Sequence, residues 1–125
     1  MVDKTSSTIG TETETIACEY LCARGLTVVC RNFLTPLGEI DIIMRDRNQL
    51  VFVEVRYRSS KTFGSAESSI TRHKIRKMRA ASDIYLQKHR LTDKICSRFD
   101  VIAMHPKPGH REHYDINWIV DIDVA

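Results

Sequence analysis

The chain has 125 residues, 42% hydrophobic and 28% charged, which is enough for one domain with its own core and too few for two. No apolar run reaches the ~18 residues of a membrane span, and residues 1–10 lack the apolar centre of a signal peptide, so a cytoplasmic protein without a membrane partner is expected. The net charge of +3 hides an uneven split: residues 55–94 carry 11 Lys and Arg against 3 Asp and Glu, and the remainder 8 against 13. A basic middle beside an acidic remainder suits a protein that grips phosphates and holds a divalent cation; it also suits an ordinary solvated helix face.

In chain order, residues 1–10 are small and polar without periodicity and read as a flexible tail, leaving 11–125 as the single domain. A helix starts at Thr11, where Ile16, Ala17, Tyr20 and Leu21 form one apolar stripe, and Gly25 ends it. Residues 26–33 read as a strand, and Pro36 and Gly38 mark a turn. Residues 39–44 and 50–58 make an antiparallel hairpin across the polar Arg45-Asp46-Arg47-Asn48-Gln49. A loop with Ser59, Ser60 and Gly64 leads to a second helix over 71–89. Ile75, Met78, Ala81, Tyr85 and Leu86 line one side of it, and Arg72, Lys74, Arg76, Lys77 and Arg79 crowd the rest. Residues 98–105 and 114–122 are the last strands, separated by a Pro/Gly/His loop. The order αβββαββ implies an α/β fold: a mixed central sheet flanked by helices on both faces, with the second helix as a parallel crossover.

The cysteines Cys18, Cys22, Cys30 and Cys96 form no CxxC pair and no finger spacing with a histidine pair. Cys18 and Cys22 stand one helical turn apart, a spacing that could suit a metal, but the set reads as small apolar residues in a reducing compartment.

Strand periodicity makes the hairpin specific. Phe52, Glu54, Arg56 and Arg58 share one face, and Val51, Val53, Val55 and Tyr57 the other. In the preceding strand Glu39, Asp41 and Ile43 share a face opposite Ile40, Ile42 and Met44. A turn centred between Arg47 and Asn48 pairs position 41 with 54 and sets two carboxylates across the ladder. Such a pair repels unless a divalent cation or a basic group holds both ionised. The same residues also read as the wet side of a sheet crossed by salt bridges.

Leu37-Gly38-Glu39-Ile40-Asp41-Ile42-Ile43 followed by Val51-Phe52-Val53-Glu54-Val55-Arg56-Tyr57-Arg58 resembles the signature of the YraN-like family, bacterial proteins related to archaeal Holliday-junction resolvases within the PD-(D/E)xK nucleases. The resemblance continues through Phe63-Gly64-Ser65, Ser69-Ile70-Thr71-Arg72-His73-Lys74, Arg98-Phe99-Asp100-Val101-Ile102-Ala103 and Ile116-Asn117-Trp118-Ile119. It also takes in Gly10, Glu14, Ala17, Tyr20 and Leu21, so it covers nearly the whole chain after residue 9.

That resemblance implies an αβββαβ restriction-endonuclease-like core plus a C-terminal strand. It places Asp41 and Glu54 at the motif's acids and Arg56 at the lysine position as the catalytic set. Mg²⁺ or Mn²⁺ would then be held by Asp41, Glu54, the carbonyl of Val55 and Glu14. Glu14 also fits a capping box with Thr11, a reading that stands beside the metal role. Arginine keeps its proton at any working pH, so Arg56 can clamp a phosphate but cannot act as a general base. Related members carry arginine at this position too.

Arg58, Arg72, Lys74, Arg76 and Lys77 are the candidate nucleic-acid contacts. The expected activity is endonucleolytic hydrolysis of DNA phosphodiesters, leaving a 5′-phosphate, in branched or repair and recombination intermediates, with a homodimer implied by junction-resolving relatives. The alternatives are a nucleic-acid-binding module of the same fold that does not cut, and a scaffolding protein. His105, His110 and His113 read as a chance cluster as readily as a metal site, Asp100 as the partner of a buried arginine, and Trp118 as core.

Overall fold

The computed structural model describes residues 6–59 and 65–124, and of residues 6–8 and 110–112 the backbone alone. The loop positions Ser60 and Gly64, the motif residue Phe63 and the side chain of His110 lie outside the described residues.

The first helix, α1, is described over Ser6–Cys22, so it is already helical ahead of Thr11. A Ser/Thr-rich first turn has poor helix propensity, but tertiary contacts override it here. Ile9 and Gly10 line a cleft against the sheet, and the Thr13 hydroxyl donates back to the carbonyls of Ile9 at 2.9 Å and Gly10 at 3.1 Å. Thr11 and Glu14 are thus interior to the helix, and the capping-box reading of Glu14 falls.

Strands β1 (Thr27–Thr35), β2 (Gly38–Asp46) and β3 (Gln49–Tyr57) form a meander with two-residue turns at Pro36-Leu37 and Arg47-Asn48. Arg47 adopts φ 57°, the left-handed value that suits a tight hairpin between right-twisted strands. Helix α2, Arg72–Lys88, is capped by the Thr71 hydroxyl, which accepts from the Lys74 amide at 3.1 Å. It carries the chain to β4 (Cys96–Lys107), which pairs parallel with β3. Strand β5 (His110–Ile119) returns antiparallel after a turn at Pro108-Gly109, with Gly109 at φ 79°. The expected broad loop before the last strand is therefore a tight turn. That strand ends at Ile119, short of residue 122, before Asp121 turns with φ 58°.

The sheet order is β1-β2-β3-β4-β5. Ala17 and Leu21 of α1 pack on Ile42, Met44, Val51 and Val53, whereas Met78, Ala81 and Tyr85 of α2 pack on Ile43, Leu50 and Phe52. Since neighbours along a strand point to opposite faces, the two helices cover opposite sides of the sheet. The four cysteines are free thiols, and no helix among the described residues is long and apolar enough to cross a membrane.

The expected alternation along β2 breaks at Asp41. Ile40 and Ile43, three residues apart, share the α2 side, and so do Phe33 and Cys30 across the ladder. Between them Asn32 takes φ 54°, and the ladder passes over Asn32 and Asp41 together, as it passes over Val29 at the bulge between Val28 and Cys30. One left-handed residue rotates the strand and moves its neighbours to the other face. The kink places Asp41 where the two sides of the sheet meet.

Candidate active site

The β2–β3 ladder runs from Asp46↔Gln49 to Ile42↔Val53, and the same register carried one residue on sets Asp41 opposite Glu54. There the backbone ladder stops. The Asp41 carboxylate replaces it, its Oδ2 accepting the Val55 amide at 2.8 Å. In an extended strand a residue's N–H and C=O point the same way, so the Val55 carbonyl faces Asp41 as well.

Glu54 is 1% exposed. Its Oε1 has two cations nearby, Lys74 Nζ at 3.4 Å and Arg56 Nη1 at 3.6 Å, both longer than a strong charged hydrogen bond. Its Oε2 is buried without any hydrogen-bond partner. Burial first, and then the proximity of Asp41, push Glu54 up to about 8, against the pull of Lys74 and Arg56. Glu14 is pushed up to about 7, again by burial and then by Asp41, with Arg31 opposing. Asp41 acts on both acids in the same direction, so the three carboxyl groups form one interacting set.

Glu14 reaches this set from α1. Arg31 Nη2 is 3.9 Å from its Oε2, and the Asn32 amide, turned to present its donor, lies 3.2 and 3.3 Å from the two carboxylate oxygens. The residue that kinks β1 therefore also holds Glu14.

Arg56 is held on its far side by Ser69, at the end of a 3₁₀ turn over Glu67–Ser69: Nε donates to the Ser69 hydroxyl at 2.8 Å. Glu14, Asp41, Glu54, Val55, Arg56, Arg58 and Lys74 all line one cleft of about 530 Å³. The basic residues of α2 line separate hollows. Lys74 reaches this cleft, and Lys74 and Lys77 line a neighbouring hollow, but Arg72 and Arg76 line a different one with Arg79 and Asp83. Helical spacing explains the division, because 74 and 77 share one side and 72, 76, 79 and 83 another.

The carboxylates of Glu14, Asp41 and Glu54 in this cleft are hard oxygen donors, the kind that Mg²⁺ or Mn²⁺ prefers, and Lys74 and Arg56 stand beside them. Among the described residues no three His, Cys, Asp or Glu side chains already converge as a metal cage. Mg²⁺ does not need one, since it binds through one or two carboxylates and keeps its waters.

His105 is buried, and its Nε2 accepts the Ala66 amide at 3.1 Å. Three residues that sequence reasoning missed contribute here. Asn32 carried a signal, since asparagine is uncommon in strands and tolerant of left-handed φ. Thr13 and Ser69 carried none, because their partners are distant in sequence or depend on the true helix start.

Residues 13–104 match the model described as "Uncharacterised protein family UPF0102". The chain is 46% identical to a UPF0102 protein of Methylococcus capsulatus over 78% of this chain and 77% of that protein. It is 44% identical to one from Shewanella sp. strain ANA-3 over 91% of this chain and 97% of that protein, and 45% identical to one from Vibrio campbellii over 89% and 88%. The chain belongs to the UPF0102 family, the YraN-like family its motifs resemble.

Proposed function

With that membership as the premise, we propose that this protein is a Mg²⁺- or Mn²⁺-dependent cytoplasmic endonuclease that hydrolyses DNA phosphodiester bonds at the cleft between Glu14, Asp41 and Glu54. The observation that carries the reading is the buried, partnerless Glu54 Oε2 beside Asp41. A buried carboxylate oxygen left without a donor costs about 1–3 kcal/mol, a penalty a bound cation would remove.

Asp41, Glu54 and the Val55 carbonyl would hold the ion, with Glu14 beside them; when bound, it supplies charge neutralisation on the phosphoryl oxygens and a more acidic water. Arg56, fixed at Nε by Ser69, offers its remaining guanidinium N–H groups to a phosphate oxygen and keeps its charge throughout. Lys74, whose Nζ lies 3.4 Å from Glu54 Oε1, offers a second cation to the phosphate. The excess of 11 basic over 3 acidic residues in 55–94 draws the phosphate backbone toward this side.

A module that binds without cutting is the second reading, favoured by Lys74 and Arg56, which already give Glu54 Oε1 two cationic neighbours. A cleavage assay on duplex, single-stranded, flap and four-way DNA with Mg²⁺ or Mn²⁺ separates the two. The nuclease reading expects metal-dependent products that Asp41→Ala lowers by about 10³-fold or more. No cleavage of any of the four by the wild type supports the module.

A further inference from the structure

The β1–β2 turn carries Leu34 and Leu37, 71% and 60% exposed, the two most exposed large apolar side chains among the described residues. Single exposed leucines need no explanation, but this pair is held out by a stiff support. The Thr35 hydroxyl accepts from the amides of Leu37 at 3.1 Å and Gly38 at 3.0 Å and donates to the Gly38 carbonyl at 2.7 Å. Pro36 fixes its own φ. The hairpin is also seated on α2: a Cβ at Gly38 would lie 2.6 Å from the Lys77 carbonyl oxygen, so only glycine permits that approach.

Leu34 and Leu37 border a hollow of about 330 Å³ whose charged lining is Lys74 and Lys77 with Glu39, two cations against one acid. Lys74 also lines the acidic cleft, so the leucine tip stands next to the group that reaches Glu54. Apolar side chains on a rigid turn, flanked by two ammonium groups, complement an unstacked nucleobase with its neighbouring phosphates. An intact duplex hides base faces within its stack, whereas a flap, branch or single-strand junction presents them.

We propose that the β1–β2 turn is a wedge that packs Leu34 and Leu37 on an unstacked base at a strand discontinuity while Lys74 and Lys77 hold the adjacent phosphates. The inference rests on the nuclease reading of the neighbouring cleft and deepens it.

The test is binding of the full chain, in metal-chelating buffer, to a duplex, a 5′-flap and a four-way junction carrying 2-aminopurine at the branch point. Sedimentation is run in parallel. The wild type is expected to bind the branched forms about tenfold more tightly than duplex and to raise 2-aminopurine fluorescence. Leu34→Ser/Leu37→Ser should bring that preference to within about twofold of unity and abolish the fluorescence rise, and Leu37→Phe should keep both. A preference that survives the double serine variant overturns the wedge, as does a wild type that binds duplex and branched DNA equally well. A double variant that loses self-association while keeping the preference assigns the tip to contact between copies, which also overturns it. Binding to none of the three DNAs removes the nuclease reading and the wedge together. A double variant that still binds all three DNAs but without branch preference supports the wedge and leaves the nuclease reading standing.

Discussion

Two carboxylates are sealed inside this sheet on adjacent parallel strands, and they live differently. Asp100, fully buried, accepts from Arg98 Nε at 3.0 and 3.2 Å, from Trp118 Nε1 at 3.0 Å and from the Asp121 amide at 2.9 Å. Arg98 in turn donates through Nη1 to Asp46 Oδ2 at 3.0 Å and Gln49 Oε1 at 2.9 Å. That network ties the β2–β3 turn, β4 and the end of β5 together. Glu54, on the strand beside it and equally hidden, has one oxygen near two cations and the other near nothing that donates. Burial does not tell these two acids apart; the supply of donors does.

The comparison breaks first at Asp100. Asp100→Ala leaves Arg98 buried and robs Trp118 and Asp121 of their acceptor, so a loss of about 3–5 kcal/mol is expected in urea unfolding. A loss below about 1 kcal/mol would show that the satisfied acid is no staple.

Glu54→Gln should do the opposite. Gln keeps the shape and drops the charge, so in metal-free buffer the variant gains about 1–3 kcal/mol at pH 8. The pH dependence carries the sign. Glu54 at about 8 and Glu14 at about 7 both lie above the ordinary 4.5, so the folded chain holds these protons more tightly than the unfolded one. Their contribution to stability is full below about 4.5 and is lost as pH rises through 7 and 8. The metal-free melting temperature of the wild type should fall over that range, and Glu54→Gln should flatten the upper part of the fall. A flat wild-type profile contradicts the buried, half-satisfied state of Glu54.

The smallest effect sharpens the division within α2. Lys77→Glu should weaken DNA binding and lower the slope of log affinity against log salt by about 1, whereas Arg76→Glu, on the other side of the helix, should change the slope less. Equal effects would mean that the helix meets nucleic acid along its whole basic surface.

Much of this arrangement was legible in the residues. The 41–54 alignment follows from a turn centred on Arg47-Asn48, and α2 was bounded to within a residue at either end because Thr71 caps it and its apolar positions repeat with the helical period. The pairing of Asp100 with a buried arginine was legible for the same reason as the strand itself: Arg98 and Asp100 lie two apart, on one face. What escaped depends on contacts distant in sequence. The early start of α1 is set by packing against the cleft, and the kink at Asn32 overrides a two-residue period that reads as regular in β2. The split of the basic residues becomes visible only once the β1–β2 turn and the C-terminal segment occupy different sides of α2. The orphaned Glu54 oxygen could not be read from sequence at all, because it is defined by the donors that fail to arrive.

The central proposal, that Glu54 is a metal ligand, is tested most directly by melting the wild type and Glu54→Gln at pH 8 across a Mn²⁺ titration. The account predicts that Mn²⁺ stabilises the wild type, by about 1.4 kcal/mol at ten times its dissociation constant, and leaves Glu54→Gln unmoved. No Mn²⁺-dependent rise in the wild type, or an equal rise in both proteins, would contradict it.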